Sequence, residues 1–169
     1  NSGTDALTLG LHAMGVRRND EVITTPNSFI ASTAAIVHLG AKPIFVDVKD
    51  NQCINPNLIE KSITKKTKAI MVVHLTGRVC EMDKILKISK KYKIPIIEDC
   101  AQAQGAKFKN KFVGTFGVSG CFSFYPTKIL GGYSDGGFIL TNNYKFYKKV
   151  KNIRFYGIET VDKKNKFFK

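Results

Sequence analysis

The sequence lacks long apolar segments and paired cysteines, and it has few arginines. No apolar run approaches the roughly 18 residues that a membrane-spanning helix needs, so we expect no membrane span. None of the four cysteines belongs to a C-x-x-C pair, and no histidine lies at metal-ligand spacing, so we expect neither a bound metal nor a disulfide framework. Scattered cysteines predict reduced, buried thiols in a cytoplasmic protein. They are Cys53, Cys80, Cys100 and Cys121.

The charge is strongly basic, but lysine carries most of it. The 169 residues include 27 Lys and Arg against 13 Asp and Glu, which gives a formal net charge of +14. A basic balance is compatible with nucleic acid or a membrane surface as partner. Specific nucleic-acid readers use arginine clusters with interleaved aromatic residues, and the sequence has neither, so we expect no nucleic-acid partner. The arginines are Arg17, Arg18, Arg78 and Arg154.

The composition is that of an ordinary folded domain. Hydrophobic residues make up 43% of the chain and charged residues 24%, which argues against disorder. The length suffices for one domain with its own core, and no linker or repeat divides it. The chain opens without an initiator methionine or a secretory leader, inside what resembles a motif, so we expect a fragment of a longer protein.

Helical and strand patterns alternate along the chain. Apolar residues recur at helical spacing in four segments, and β-branched or aromatic runs separate them. Continuous apolar strands between helices are typical of a parallel sheet covered on both faces, which predicts the α/β class with a mostly parallel sheet. The predicted helices cover residues 4–14, 29–39, 55–63 and 82–92, and the predicted strands cover 21–25, 43–48, 69–74 and 94–98.

The pattern changes after about Gly105. Short strands over 119–124 and 138–141 are predicted on either side of a glycine-rich stretch, and a last helix is predicted to begin near Asn143. The tail beyond Gly157 is rich in lysine and yields no clear structural prediction.

A lysine between a predicted strand and a glycine-rich loop is the first candidate for chemistry. Lys128 ends the segment SFYPTK (123–128) and is followed by ILGGYSDGG (129–137). A lysine held in this position can be withdrawn from water, which favours the neutral amine that a Schiff base requires. Taken alone, the residue is explained by an ordinary surface lysine, and only its setting points to chemistry.

Other candidates offer groups that pyridoxal phosphate (PLP) needs. Asp99 follows an apolar strand, where open α/β sheets bind ligands, and a carboxylate there can pair with a protonated pyridine nitrogen. Ser2, Gly3 and Thr4 precede the first helix, whose free N–H groups bind phosphate, and Ser123 is a second candidate phosphate ligand. Taken singly, a strand-end acid and a helix N-cap explain these residues without a cofactor.

Aromatic and imidazole side chains also occur near these positions. Phe29, at a junction between a strand and a helix, can stack on a cofactor ring, although its spacing fits a core phenylalanine as well. His12 and His38 lie on predicted helices and are interpreted as structural or surface residues. His74 ends a strand near the candidate site, and a structural interpretation is preferred for it too.

Six segments cover nearly the whole chain up to about Gly157. They are NSGTDAL (1–7), DEVITTPNSFIASTAAI (20–36), KPIFVDV (42–48), KAIMVVHLTGRVCEMD (68–83), IPIIEDCAQAQGA (94–106) and CFSFYPTKILGGYSDGG (121–137). In this order they resemble the DegT-type family of PLP-dependent nucleotide-sugar aminotransferases, and the segment around Lys128 is the most specific.

The resemblance implies a role for each candidate residue. Lys128 matches the lysine that forms the Schiff base with PLP and later moves the proton. Asp99 matches the acid on the pyridine nitrogen, Gln102 the residue near the ring hydroxyl, and Phe29 the aromatic ring that stacks on the cofactor. The phosphate-binding positions of the family match Gly3, Thr4 and Ser123.

The resemblance also implies an architecture. Residues 1–157 correspond to the PLP-binding large domain of a fold-type I enzyme, incomplete at its N-terminus, with the active site at a homodimer interface. The tail over 158–169 then leads to a C-terminal small domain that the chain lacks. Two positions depart from the family pattern, because Ile129 stands where asparagine is common and Ser134 where glycine is common; neither removes a catalytic group.

The implied activity is amino transfer, usually from glutamate, to a nucleotide-linked keto-deoxy sugar for surface-polysaccharide synthesis. The SFYPTK and HLTGR segments look closer to members that act at C3 of a dTDP-linked 4,6-dideoxy or 6-deoxy sugar than to other members. One alternative is a sugar dehydratase on the same fold that uses PLP or its amine form, pyridoxamine phosphate (PMP). Such dehydratases have histidine in place of Lys128, so the lysine argues against them. The other alternative is an inactive fragment or relic, which the missing ends keep open.

Overall fold

The structure is a computed structural model that describes residues 1–158. The helices are α1 (Gly3–Ala13), α2 (Ile30–His38), α3 (Pro56–Ile59), α4 (Met82–Tyr92) and α5 (Tyr144–Arg154). The strands are β1 (Glu21–Thr24), β2 (Lys42–Phe45), β3 (Thr67–Val73), β4 (Ile96–Asp99), β5 (Lys107–Phe108), β6 (Lys111–Phe112), β7 (Ser119–Ser123) and β8 (Gly137–Leu140). Apart from residue 158, the lysine-rich tail predicted over 158–169 lies outside the described residues.

Six of the strands form one mixed sheet in the order β2-β1-β3-β4-β7-β8. The five strands from β2 to β7 pair in parallel, and β8 pairs antiparallel with β7 at one edge. The prediction of a mostly parallel α/β sheet is confirmed. Because parallel strands end at the same edge, β3 and β4 end level with each other at Val73 and Asp99, and β7 runs two residues further, from Cys121 opposite Asp99 to Ser123.

The sheet is covered on both faces, and β3 shows why. Successive side chains of a strand point to opposite faces. Ile70 and Val72 pack into a core that includes Ile85 of α4, whereas Met71 packs into a second core with Leu11 of α1. Residues 69–73 are all buried, which explains the continuous apolar run in the sequence.

Several element boundaries differ from the predictions. The helix expected over 55–63 begins as predicted, with Asn55 capping the N–H of Asn57, but its α-helical part ends at Ile59 and a 3-10 turn follows. The strand expected over 43–48 ends at Phe45, since Val48 leaves the sheet and makes an isolated antiparallel bridge instead.

A small hairpin of β5 and β6 was not predicted. Lys109 and Asn110 connect its strands and both adopt positive φ, the left-handed conformation typical of tight hairpin turns. Two-residue strands are too short to produce an alternating pattern, so no local signal predicts them. Within residues 1–158, no helix combines the length and apolar character needed to cross a membrane.

Candidate active site

A cavity of about 480 Å³ opens at the carboxyl ends of the parallel strands. Its walls come from the N-terminus of α1, the segment before α2, the ends of β3, β4 and β7, and the loop that follows β7. The structure therefore brings together every residue that the sequence singled out for a cofactor site. These are Gly3, Thr4, Phe29, Asp99, Gln102, Ser123 and Lys128.

Asp99 is the buried acid of this cavity, with 6% of its surface exposed. Ser32 Oγ donates a hydrogen bond to Asp99 Oδ2 over 2.7 Å, and the backbone N–H of Ala101 donates to Asp99 Oδ1 over 3.1 Å. Burial raises the pKa of Asp99, and the Ser32 hydrogen bond and the charge of Lys128 act against that rise. A cation bound in the cavity would therefore stabilise the charged form of Asp99.

The N-terminus of α1 and the end of β7 approach each other at the wall of the cavity. Ser2 caps the helix by accepting a hydrogen bond from Asp5 N–H, while the N–H groups of Gly3 and Thr4 have no acceptor inside the helix. A Cβ atom on Gly3 would lie 2.7 Å from Ser123 Cβ, so glycine is required for this contact. Backbone donors and a hydroxyl thus converge as an anion site requires.

Ser123 is held in place from two sides. Its Oγ accepts a hydrogen bond from Tyr125 N–H over 3.2 Å, and its backbone carbonyl accepts one from Gln104 Nε2 over 2.7 Å. Gln104 lies five residues after Asp99, so the chain that leaves β4 also positions the end of β7. The sequence interpretation did not identify this role for Gln104.

Lys128 lies in the loop that leaves β7. Its backbone N–H donates to the Tyr125 carbonyl over 2.8 Å, which folds residues 125–128 into a turn. The loop closes on itself where Gly132 N–H donates to the Phe124 carbonyl and Phe124 N–H donates to the Gly136 carbonyl, each over 2.8 Å. The departures noted in the sequence lie in this loop, and Ile129 is 71% exposed.

Phe29 and Gln102 complete the cavity. Phe29 precedes α2 and is 68% exposed, which rules out the core-phenylalanine alternative. Gln102 Oε1 accepts a hydrogen bond from Thr76 N–H over 2.9 Å, at a residue whose φ is positive. This contact fixes the 3-10 turn after β3 against the segment that follows β4.

Glu98, which stands beside Asp99 at the end of the predicted strand, has a role that the sequence did not indicate. It precedes Asp99 on β4 and therefore points away from it, and it is fully buried. Glu98 Oε1 accepts from Phe116 N–H and Gly117 N–H over 2.8 and 2.7 Å. Its Oε2 accepts from Gly114 N–H over 2.7 Å and lies 3.1 Å from His74 Nε2.

His74 lines the cavity, but both ring nitrogens are engaged. Its Nδ1 accepts a hydrogen bond from Cys80 N–H, which leaves Nε2 as the protonated nitrogen that donates to Glu98. His74, Glu98 and Cys100 lie close enough to resemble a metal cluster. Because the carboxylate and the imidazole are saturated by hydrogen bonds, the geometry favours a structural anchor, in agreement with the interpretation of His74.

Solved aminotransferases share this fold. DesV of S. venezuelae, in complex with a ketimine intermediate, matches 96% of this chain and 44% of its own with a TM-score of 0.91 and 36% identity. NtdA of Bacillus subtilis, with bound cofactor PMP, matches 89% of this chain and 34% of its own with a TM-score of 0.83 and 39% identity. The protein thus has the fold of PLP-dependent aminotransferases.

Sequence comparison narrows this class to one family. The profile of the DegT/DnrJ/EryC1/StrS aminotransferase family matches residues 1–169, and the chain belongs to that family, as its motifs predicted. The family's cofactor is PLP. A dTDP-3-amino-3,4,6-trideoxy-alpha-D-glucose transaminase of Micromonospora megalomicea subsp. nigra is 40% identical over 161 residues, which cover 95% of this chain and 43% of the relative. The chain therefore spans less than half the length of this curated relative.

Proposed function

We propose that the protein is an aminotransferase that moves an amino group from glutamate to a nucleotide-linked keto-deoxy sugar. One observation carries the proposal: Asp99, Lys128 and the N-terminus of α1 face a single cavity although they are far apart in sequence. An acid, an amine and an anion site are the three groups that PLP requires of a protein. Bound PLP supplies an aldehyde that condenses with amines and a pyridine ring that accepts electrons.

The two ends of the cofactor are assigned to different residues of the cavity lining. The carboxylate of Asp99 accepts a hydrogen bond from the pyridine nitrogen and keeps that nitrogen protonated. The N–H groups of Gly3 and Thr4, together with the hydroxyl of Ser123, bind the phosphate. This assignment fits the local chemistry, because the acid is buried and the helix N-terminus has unused donors.

The remaining residues act on the ring and on the reacting atoms. Phe29 covers one face of the ring, and its high exposure fits a side chain that is buried only by a ligand. Gln102 would contact the ring hydroxyl. Lys128 would hold the cofactor through its amine and would hold and move the proton at the carbon that receives the amino group.

The substrate assignment rests on the relatives. The Micromonospora relative is named for a dTDP-linked 3-amino sugar, which supports C3 of a dTDP-linked deoxy sugar as the site of amination. The product would be an amino sugar for surface polysaccharide or lipopolysaccharide. The chain covers 43% of that relative, so the substrate of the whole protein is part of the proposal.

The architecture is also part of the proposal. Residues 1–157 form the cofactor-binding large domain, and the tail over 158–169 leads to a small domain. A homodimer is supported by exposed apolar side chains beside the cavity, notably Ile30, Ile129 and Tyr133. A cytoplasmic location is supported by four free cysteines, all of them buried.

Two alternatives remain to be separated from the main proposal. A sugar dehydratase on this fold would have histidine in place of Lys128, so the intact lysine argues against it. An inactive fragment is favoured by one observation, namely that the chain spans only 43% of its Micromonospora relative. Cofactor binding and half-reaction with glutamate distinguish an active protein from an inactive one.

The test is cofactor capture at Lys128. The protein is mixed with PLP, reduced with borohydride and digested, and mass spectrometry is expected to locate the cofactor on Lys128. Lys128→Ala is expected to lose the visible absorbance band, whereas Lys87→Ala, a change at an exposed lysine of α4, keeps it. In a separate, unreduced sample of the PLP-loaded protein, glutamate should convert the visible band with release of 2-oxoglutarate. A folded protein that shows no band would favour the inactive fragment.

A further inference from the structure

Two serine hydroxyls lead from the cavity to Asp99, and the roles assigned above do not use them. Ser32 Oγ lies 2.7 Å from Asp99 Oδ2, and Ser28 Oγ lies 2.7 Å from Ser32 Oγ. Ser32 is 1% exposed, whereas Ser28 lines the cavity. The contact joins residues 67 positions apart, so it depends on how α2 packs against the end of β4.

The direction of each hydrogen bond follows from the protons that each group carries: one on each serine hydroxyl and none on the ionised carboxylate. An ionised carboxylate only accepts, so Ser32 donates its single proton to Asp99. Ser28 must then be the donor in its contact with Ser32. Two hydroxyl dipoles are therefore aligned toward the carboxylate, and consecutive hydrogen bonds of this kind strengthen one another in a buried setting.

The two oxygens of Asp99 each receive one donor from the protein. Ala101 N–H donates to Oδ1 and Ser32 donates to Oδ2, which together fix the plane of the carboxyl group. Burial raises the pKa of Asp99, and the hydrogen bond from Ser32 is the largest influence that lowers it. Without that bond, burial would favour the neutral acid, which has no ionic attraction to a protonated pyridine.

We propose that Ser32, supported by Ser28, is a positioning residue that holds Asp99 as the hydrogen-bond acceptor for the pyridine nitrogen of the cofactor. The inference rests on the cofactor-binding role proposed for Asp99. Ser32 also lies in the first turn of α2, where its N–H donates to the carbonyl of Phe29 over 3.2 Å. The first turn of α2 thereby positions both Ser32, which contacts Asp99, and Phe29, whose side chain lines the same cavity.

The test compares two ligands that differ at one atom. Dissociation constants are measured for PLP and for its analogue with carbon in place of the pyridine nitrogen, using the full-length protein. The preference for PLP is the dissociation constant of the analogue divided by that of PLP. Ser32→Ala is expected to lower this preference about tenfold, as fits the loss of a hydrogen bond to a charged group. Ser32→Thr, which retains the hydroxyl, is expected to keep it, and Asp99→Asn to lower it at least as far as Ser32→Ala.

A purely structural role for Ser32 has a different signature. In that case Ser32→Ala would weaken the binding of both ligands equally and leave the ratio of their dissociation constants unchanged. That result overturns the inference. Ser89→Ala is the matched control, because it removes a 2.6 Å hydrogen bond to the Ile94 carbonyl at the far end of α4. It is expected to cost stability without changing the ratio.

The outcomes also separate this inference from the proposed function. A native protein that binds neither ligand overturns both. A native protein that prefers PLP, with the same preference after Ser32→Ala, overturns the role of Ser32 alone. Should Ser32→Ala fail to fold, Ser28→Ala at the cavity wall is expected to lower the preference by a smaller factor, and an unchanged ratio there counts against the inference.

Discussion

Replacing Glu98 by glutamine is expected to destabilise the fold strongly, although the two side chains have nearly the same shape. Glu98 is fully buried, and its two oxygens accept four hydrogen bonds, three from the backbone N–H groups of residues 114, 116 and 117. The fourth partner is His74 Nε2. A carboxylate can accept all four, whereas an amide has one oxygen and an NH₂ group that only donates.

The geometry leaves glutamine no satisfactory orientation. With its oxygen toward Phe116 and Gly117, its NH₂ faces the N–H groups of Gly114 and His74, and the reverse orientation opposes the other pair of donors. Moving the His74 proton from Nε2 to Nδ1 would place it against the Cys80 N–H, which now donates to Nδ1. Two buried donors lose their partners in each case, and at ~1–3 kcal/mol apiece the expected loss is about 2–6 kcal/mol.

The free energy of unfolding is measured by denaturant titration, followed by far-UV circular dichroism because the chain has no tryptophan. Glu60→Gln is the matched control. Glu60 makes an exposed ion pair with Lys91, and its loss is expected to cost at most ~1 kcal/mol. If Glu98→Gln costs no more than the control, the loop after β6 does not depend on this carboxylate and the reasoning is wrong.

Two further predictions concern the cofactor site. Gly3→Ala is expected to reduce PLP affinity and to destabilise the fold by about 1–3 kcal/mol, because its Cβ would lie 2.7 Å from Ser123 Cβ. Gly10→Ala lies in the same helix, and its Cβ would meet the flexible end of Ile97 at 2.7 Å and Cys121 Sγ at 3.4 Å but no cavity residue, so it should leave PLP binding unchanged in the same titration. Burial raises the pKa of Asp99 above the ordinary value of 3.8, so in the cofactor-free protein this group stabilises the fold most at low pH. That contribution is lost as pH rises through the raised pKa. Asp99→Asn should therefore stabilise the cofactor-free protein near neutral pH and flatten its pH dependence, and unfolding curves in which the substitution lowers stability at neutral pH would contradict this.

Local patterns in the sequence were sufficient for the fold class and for most elements. The apolar run over 69–74 predicted a strand covered on both sides, and β3 has that burial. The caps at Asn55 and the stop after α1 were also visible, because such signals lie within a few residues of one another. The hairpin of β5 and β6 was invisible, since its strands have two residues each.

The candidate site also contains residues that the sequence singled out and residues whose roles only the structure shows. Lys128, Asp99 and Ser123 were found because each stands beside a strand end or a glycine-rich loop, and the parallel sheet brings strand ends to one edge. The partners of those residues were not found. Gln104 and Ser32 have no local feature that distinguishes them from ordinary polar residues, and their roles become visible only through the contacts they make.

The sequence by itself therefore determined the order of most helices and strands, the family and the residues that line the cavity. Those properties follow from hydrophobic periodicity and from short motifs, which act over neighbouring residues. Only the tertiary structure decided which face of β4 each acid occupies, that Glu98 is an anchor for the loop after β6, and that Ser32 reaches Asp99. These facts depend on strand register and helix packing, which join residues that are distant in the chain.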